Sequence, residues 1–251
     1  MKVVKIIPCL DTKDGKVVKG INFTGLKEIG DPVEMAKKYN SECADELVLL
    51  DTTASIENHE LRFQMVKSVK SVINIPLSVG GGIDSIDDAT KMFEAGADKI
   101  SIGTAAVKNS SFMKELVQKF GGDKIIAAID TKNVNGKDKV VIYGGNEVTD
   151  LDLIPWAKEV EKIGVRTILL TSWNKDGTKE GFDNKSLRDV AEAVSIPVVA
   201  SGGAGKIKDF ISAVKDGKAS YLLAASVFHY DEIKIKDLKS ALAKEGIAVS
   251  N

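Results

Sequence analysis

Two aspartates stand where buried segments of this chain end, and their carboxyl groups are suited to acid–base chemistry. Asp11 follows the apolar stretch from Val3 to Leu10, and Asp130 follows Lys124 to Ile129, 119 residues later. Burial and nearby charge can separate the pKa values of two carboxyl groups, so that one serves as a base and the other as an acid. A capping role is the ordinary alternative for either residue alone, but their matching positions favour a catalytic pair.

Four turns rich in glycine or small residues follow other apolar segments and are suited to binding phosphate. They are Gly80-Gly81-Gly82, Gly103-Thr104, Ser201-Gly202-Gly203 and Ala225-Ser226. A backbone without side chains can approach an anion closely, and the N–H groups of a following helix supply donors and a favourable dipole. The turns follow the third and fourth and the seventh and eighth predicted strands. They therefore predict a first and a second phosphate cradle, one for each end of a long substrate.

The elements that carry these residues repeat within the chain. The stretch VVASGGAGK at 198–206 matches LSVGGGI at 77–83, 121 residues earlier, and each follows Ile-Pro and precedes an amphipathic helix. Strand-like and helix-like segments alternate, four of each in either half. The sequence therefore predicts an α/β fold with one domain over residues 1–251, a (β/α)8 TIM barrel with half-barrels of roughly residues 1–120 and 121–251.

In such a barrel the carboxyl ends of all strands meet at one mouth, where catalytic residues lie. We therefore expect one pocket ringed by Asp11, Asp51, Asp130, Thr171, Ser172, Asp176 and Ser201. The segment from Thr12 to Gly30 is polar and rich in lysine, and its length predicts a lid or binding loop. A small hairpin arm is predicted at Lys139 to Tyr143.

The composition argues against several other classes of protein. The formal net charge of −1 provides no basic field for nucleic acid or a membrane surface. No apolar run approaches the roughly 18 to 20 residues that span a bilayer, so a cytoplasmic protein is expected. Cys9 and Cys43 indicate reduced thiols. The chain shows no metal-ligand spacing, so we expect neither a metal nor another cofactor.

Longer motifs resemble one known family of barrels. They are KIIPCLDTKDGKVVKG (5–20), GDPVE (30–34), ADELVLLD (44–51), VGGGI (79–83), GADKISI (96–102), AAIDTK (127–132), LLTSWNKDGTKEGFD (169–183), VVASGGAGK (198–206) and LAASVFHY (223–230). Together they resemble the cyclase subunit of imidazole glycerol phosphate synthase over essentially the whole chain. The resemblance implies a lyase of histidine biosynthesis. It would take ammonia from a glutaminase partner at the N-terminal face of the barrel and convert the bisphosphate PRFAR into imidazole glycerol phosphate and AICAR.

The same resemblance implies roles for individual residues. Asp11 and Asp130 are the expected acid and base. The expected substrate ligands are Lys19, on a mobile first loop, and Asp51, Thr171, Asp176 and Ser201. The expected phosphate ligands are Gly82, Gly103 and Thr104 on one side and Gly177, Gly203, Ala225 and Ser226 on the other. The expected ammonia gate at the bottom of the barrel consists of Lys5, Glu46, Lys99 and Thr167.

Some residues depart from the family's pattern and leave other functions open. Gly103 stands in place of an asparagine, Thr167 in place of a gate glutamate, and Trp173 and the stretch 220–222 are bulkier than usual. One alternative is the sister isomerase that converts ProFAR into PRFAR, which Gly103-Thr104 resembles, although the KDGKVVKG and DGTKEGFD motifs favour the cyclase. The other is a divergent or engineered barrel scaffold that binds phosphate with reduced or no native activity.

Overall fold

Twelve named strands and ten α-helices make up the computed structural model, which describes residues 3–21, 24–52 and 59–250. The strands are β1 (Lys5–Lys13), β2 (Lys16–Ile21), β3 (Thr24–Gly30), β4 (Leu47–Asp51), β5 (Leu77–Gly80), β6 (Lys99–Ile102), β7 (Ile125–Val134), β8 (Lys137–Ile142), β9 (Glu147–Asp152), β10 (Thr167–Ser172), β11 (Val198–Ser201) and β12 (Tyr221–Ala224). The helices are α1 (Pro32–Ser41), α2 (His59–Lys70), α3 (Ile86–Glu94), α4 (Thr104–Lys108), α5 (Ser110–Phe120), α6 (Leu153–Ile163), α7 (Asn184–Ala193), α8 (Ile207–Lys215), α9 (Ser226–His229) and α10 (Ile235–Lys244).

Eight of the strands are parallel and close into a barrel. Their order around it is β1, β4, β5, β6, β7, β10, β11 and β12, and β12 pairs with β1. Helices follow the strands and cover the outside, so the predicted (β/α)8 barrel is confirmed. The strands β5 and β6 lie opposite β11 and β12 in this order, and β1 lies opposite β7.

The barrel has two apolar layers. Ile7, Val48, Val199 and Leu223 pack together inside the barrel with Cys9. The larger layer lies between the strands and the helices and includes Leu10, Leu49, Ile100 and Phe210. Because successive side chains of a strand point to opposite faces, these two clusters show which residues of each strand face inward. Inward positions near the carboxyl ends of the strands form the mouth.

Local sequence signals explain where the helices begin. The Asp31 carboxylate accepts hydrogen bonds from the amides of Val33 at 2.9 Å and Glu34 at 3.1 Å, and Pro32 occupies the first helical position of α1. Ser85 caps α3 in the same way, accepting from the Asp88 amide at 3.1 Å. Both caps satisfy amides that have no partner within the helix.

The predicted lid from Thr12 to Gly30 forms antiparallel strands over residues 12–21 and 24–30, and its residues 22 and 23 lie outside the described part of the chain. The end of β1 pairs with β2, and β2 pairs with β3. Asp14 and Gly15 form the connecting turn, with φ of 50° and 78°, which is the geometry that Asp-Gly favours in two-residue hairpins. The predicted arm at Lys139 to Tyr143 is confirmed in outline, because β8 pairs antiparallel with both β7 and β9. Within the part of the chain that the structure describes, no helix is long and apolar enough to cross a membrane.

Candidate active site at the barrel mouth

Asp11 lies at the mouth with both carboxylate oxygens engaged. It is 4% exposed, at an inward position of β1. Lys19, from β2, donates to its Oδ2 at 2.6 Å, and the Cys9 thiol lies 3.4 Å from its Oδ1. The ribbon that replaces the predicted loop therefore folds Lys19 back over the end of β1.

The ion pair with Asp11 controls the charge of Lys19. Burial alone lowers the pKa of this lysine, but the charge of Asp11 and its hydrogen bond outweigh that effect and raise the pKa. Burial also raises the pKa of the Cys9 thiol well above its ordinary value, and the neighbouring Asp11 charge adds to the effect. Lys19 is thus a cation at neutral pH, and Cys9 is a neutral thiol that can donate to Asp11.

Asp130 lies across the mouth, on β7, in a different environment. Its Cα is the register partner of Thr171 on β10, which in turn pairs with Ser201 on β11. Desolvation, and after it the charge of Asp176, raise the pKa of Asp130, and a hydrogen bond from Thr171 lowers it; together they bring the pKa to about 6. Asp130, Thr171 and Ser201 therefore form one row of polar groups, and Asp130 holds a proton much closer to neutral pH than an ordinary aspartate does.

Asp176, in the loop after β10, interacts with charged groups on both sides of the mouth. Burial raises the pKa of its carboxyl group, Lys19 lowers it, and Asp11 raises it again. The Gly177 amide also donates to this carboxylate. Asp176 thus interacts electrostatically with Asp11, Lys19 and Asp130. In the ranges 3–21, 24–52 and 59–250, the His, Cys, Asp and Glu side chains form no group of three that could hold a metal ion.

Two residues expected in the pocket lie on the other side of the sheet. Leu50 packs with the residues inside the barrel, so Asp51, the next residue of β4, points outward. Asp51 lines a small crevice with Thr12, Asp14, Gly15, Leu61, Arg62 and Met65. The Ser172 hydroxyl donates to Asp183 Oδ2 at 3.2 Å, beside the N-terminus of α7. The structure therefore does not bring Asp51 or Ser172 together with the inward-facing acids.

The first cradle consists of two turns that follow the neighbouring strands β5 and β6. Gly81 and Gly82 have φ of 92° and 61°, and a Cβ on Gly81 would lie 2.0 Å from the carbonyl oxygen of Asp51. Only glycine fits there. Gly103 precedes α4 with φ −114° and ψ −95°, and Thr104 begins that helix. The Arg62 guanidinium supports this cradle from behind, donating to the Gly81 carbonyl at 2.9 Å and to Asp88 at 2.9 Å.

The second cradle repeats this arrangement after β11 and β12. Gly202 and Gly203 have φ of 86° and 102°, and the Gly203 carbonyl accepts from the Gly181 amide at 2.7 Å. Ala225 precedes α9 with φ −120° and ψ −81°, close to the torsions of Gly103. Gly177, with φ 75°, lies in the loop that supplies Asp176. The turns on opposite sides of the mouth therefore have similar backbone torsion angles.

The four residues expected at the gate begin strands or precede them, at the opposite end of the barrel. Glu46 is 2% exposed and accepts from Lys99 Nζ at 2.7 Å and from Ser78 Oγ at 2.6 Å. Lys5 Nζ lies 3.7 Å from Glu46 and 5.0 Å from the centre of the Tyr221 ring. Thr167 begins β10. Three of the four residues thus form an ion cluster, to which Ser78 and Tyr221 are additions that the sequence did not suggest.

Cys9 and Arg62, near the mouth, are two further residues that the sequence does not assign to the site. From the sequence, Cys9 is interpreted only as a reduced thiol, although its position two residues before Asp11 places both side chains on the same face of a strand. Arg62 had no usable signal, because its partners Gly81 and Asp88 are distant in sequence. Its buried ion pair with Asp88 became apparent only from the packing.

The chain matches a known family and several of its members over most of its length. The family model described as "Histidine biosynthesis protein" matches residues 5–234. A protein of Flavobacterium johnsoniae called "Imidazole glycerol phosphate synthase subunit HisF" is 49% identical over 249 residues, which cover 99% of each chain. The protein of the same name from Cytophaga hutchinsonii is 49% identical over 98% of each chain. The one from Lactococcus lactis subsp. cremoris is 50% identical over 98% of this chain and 96% of its own.

Proposed function

The chain belongs to the histidine biosynthesis family as a cyclase subunit of imidazole glycerol phosphate synthase, and we propose that Asp11 and Asp130 are the acid–base pair of this lyase. The observation that carries the proposal is the contrast between the two carboxyl groups. Asp11 is paired with a lysine, whereas Asp130 is desolvated and its pKa is about 6. Such a difference in environment lets two carboxyl groups take different proton-transfer roles.

The two acids divide the proton transfers in the following way. Asp130 can hold a proton near neutral pH and give it to the substrate, because a pKa near the working pH favours general acid–base catalysis. Asp11, whose Oδ2 accepts from Lys19 at 2.6 Å, takes up a proton when the substrate displaces the ammonium group from that oxygen. The Cys9 thiol keeps the other oxygen of Asp11 oriented toward the inside of the barrel.

The proposed substrate is PRFAR, held with one phosphate in each cradle. Gly82, Gly103 and Thr104 bind one phosphate, and Gly177, Gly203, Ala225 and Ser226 bind the other. The row of Thr171 and Ser201, together with Asp176 and Lys19, contacts the sugar parts between them. The support is geometric: the cradles lie on opposite sides of the mouth, and Asp11 and Asp130 lie on the strands between them. Asp51, on the outer side of β4, supports the first cradle, because its carbonyl oxygen leaves no room for a side chain at Gly81.

Ammonia enters from the other end of the barrel in this proposal. A glutaminase partner binds the N-terminal face and delivers ammonia past the cluster of Lys5, Glu46 and Lys99. The apolar layer of Ile7, Val48, Val199 and Leu223 lies between that cluster and the mouth. A neutral molecule can cross such a layer, whereas an ammonium ion would have to be desolvated. Thr167 supplies no charge where a carboxylate would complete the ring, so we propose that the gate closes poorly.

A spectrophotometric assay with PRFAR and an ammonium salt at alkaline pH tests the proposed chemistry on the isolated chain. Free ammonia is plentiful under these conditions, so turnover needs no partner. Consumption of PRFAR with formation of imidazole glycerol phosphate and AICAR is expected. Bound but unconverted PRFAR would contradict the proposed roles of the acids.

The gate is tested separately by supplying glutamine and the glutaminase partner. An incompletely closed gate predicts good activity with free ammonium and less than one imidazole glycerol phosphate formed per glutamine hydrolysed. Tight one-to-one coupling would refute the proposal for Thr167 while leaving that for the acids intact.

A further inference from the structure

The tip of the arm between β8 and β9 adopts a conformation that calls for an explanation. Tyr143, Gly144 and Gly145 have φ of 53°, 62° and 84° in succession. Glycine adopts such angles readily, but a bulky aromatic residue rarely does. Tyr143 is also 49% exposed, so burial of its ring does not account for the strained backbone. Strain of this kind is retained where surrounding contacts require it, commonly near a functional site.

The contact that requires it is a hydrogen bond to the first cradle. The Tyr143 amide donates to Thr104 Oγ1 at 3.0 Å, across 39 residues of sequence. Lys108, on the same short helix as Thr104, donates to the Tyr143 hydroxyl at 2.9 Å. The arm, which belongs to the loop after β7, is therefore attached at its tip to the turn after β6.

This hydrogen bond determines what the Thr104 hydroxyl can offer a ligand. A threonine hydroxyl has one hydrogen to donate and lone pairs to accept with. The Tyr143 amide donates to one lone pair of Thr104 Oγ1. The hydrogen of the hydroxyl group therefore points away from the arm tip. The hydroxyl is thus prepared to act as a donor.

Trp173 holds the arm tip in this place. Its indole Nε1 donates to the Gly144 carbonyl at 2.9 Å, and its backbone amide donates to Thr131 of β7 at 2.8 Å. The ammonium group of Lys132 lies 4.4 Å from the ring centre. A Cβ on Gly145 would lie 1.7 Å from Nε1. The indole therefore fills the space between the arm tip and β7.

We propose that Trp173 and the Tyr143 amide are positioning groups that orient the Thr104 hydroxyl to donate to a phosphate group in the first cradle. The inference rests on the proposed function, in which this cradle binds one end of the substrate. It gives Trp173 a specific role in affinity for that phosphate. The residue does not contact the reacting atoms, so its effect appears in binding and leaves the chemical step unchanged.

Titration of the protein with inorganic phosphate, followed by amide signals in NMR spectra, measures each cradle separately. The amides of Gly82 and Thr104 report on the first cradle, and those of Gly203 and Ser226 report on the second. Trp173→Phe keeps an aromatic ring but removes the N–H donor. We expect about five- to tenfold weaker phosphate binding at the first cradle, as for loss of one neutral hydrogen bond, here the bond from the indole to the Gly144 carbonyl. Binding at the second cradle should be unchanged.

Two further variants show whether the effect passes through Thr104. Gly145→Ala places a methyl group where the Trp173 indole lies, so it should weaken phosphate binding at the first cradle as Trp173→Phe does. This variant keeps the test decisive if Trp173→Phe folds poorly. Thr104→Val removes the hydroxyl, and adding Trp173→Phe to it should weaken binding no further. The proposal would be overturned if the double variant bound phosphate more weakly than Thr104→Val alone. It would also be overturned if Trp173→Phe and Gly145→Ala left the phosphate affinity of the first cradle unchanged.

Trp156→Phe is the matched control, because it makes the same change at the chain's other tryptophan, which lies on the buried face of α6. It should leave phosphate affinity within about twofold. With PRFAR, Trp173→Phe should raise KM about five- to tenfold and change kcat by less than about twofold. Absence of turnover in the unmodified protein would refute the cyclase chemistry, while the phosphate titration would still decide the role of Trp173.

Discussion

Replacing Asp130 by asparagine should stabilise the empty protein while removing a proton carrier. The pKa of this carboxyl group is about 6 in the folded protein, against an ordinary value of 3.8. A difference of about two units, at about 1.4 kcal/mol each, means that ionised Asp130 destabilises the folded state by up to about 3 kcal/mol. Because the residue is partly exposed at the mouth, we expect asparagine to add about 1–2 kcal/mol. For a chain of this length, that raises the Tm by roughly 2–8 °C.

The stabilisation should depend on pH in one direction. A folded pKa above the unfolded one means that the folded state binds the proton more tightly, so stability falls as pH rises from about 3.8 to about 6. Asparagine does not titrate. The difference in the free energy of unfolding between the variant and the unmodified protein should therefore be small near pH 4, increase up to about pH 7 and stay constant above it. Urea unfolding followed by circular dichroism at several pH values measures this difference.

Asp237→Asn provides the control, because Asp237 is an exposed aspartate in the first turn of α10. A surface change of this kind usually alters stability by less than about 0.5 kcal/mol. If Asp130→Asn is no more stable than the unmodified protein at pH 8, or if the difference in the free energy of unfolding does not change with pH, the desolvation argument for Asp130 is wrong.

Three further outcomes follow from the contacts at the mouth, the base and the C-terminus. Asp11→Asn and Asp130→Asn should each lower turnover of PRFAR with ammonium by about 10²-fold or more, and unchanged rates in both would refute the acid–base assignment. Lys99→Met should destabilise the protein by about 1–3 kcal/mol in urea, because it removes the nearest cation from buried Glu46, and adding Glu46→Gln should recover part of the loss. Lys239→Met should cost about 2–4 kcal/mol and expose the C-terminus to limited proteolysis, because this lysine donates to the Cys43 carbonyl, Asp45 and Ser250; unchanged proteolysis would count against it.

The barrel and the family were predictable from the sequence, because repeated glycine turns and alternating segments are local signals. The structure confirms the fold, and the relatives confirm the cyclase subunit of a histidine biosynthesis enzyme. Asp14-Gly15 is a strong signal for the hairpin of β1 and β2, but the polar, lysine-rich segment after it carries no comparable signal for the pairing of β2 with β3.

The direction of the acids could not be predicted, for a physical reason. Strands buried on both faces are continuously apolar, so their sequence does not show which residues point inward. Asp11 follows Leu10, which faces the helices, whereas Asp51 follows Leu50, which faces the inside of the barrel. A shift of one residue along the strand therefore decides whether an acidic side chain points into the barrel or toward the helices. The attachment of Trp173 to the arm tip was likewise invisible, because it depends on the relative placement of two loops.

The four turns proposed to bind phosphate lack basic residues, which suits the proton transfer proposed for Asp130. The turns contain no lysine or arginine, so their donors are backbone amides and hydroxyl groups. A cation near Asp130 would lower its pKa and release the proton that the proposed reaction uses. Amides and helix dipoles can bind phosphate with a smaller effect of this kind, and each bound phosphate adds negative charge that raises the pKa of Asp130 further. In the proposed reaction, the carboxyl group that destabilises the empty barrel is therefore expected to be a more fully protonated donor once the substrate is bound.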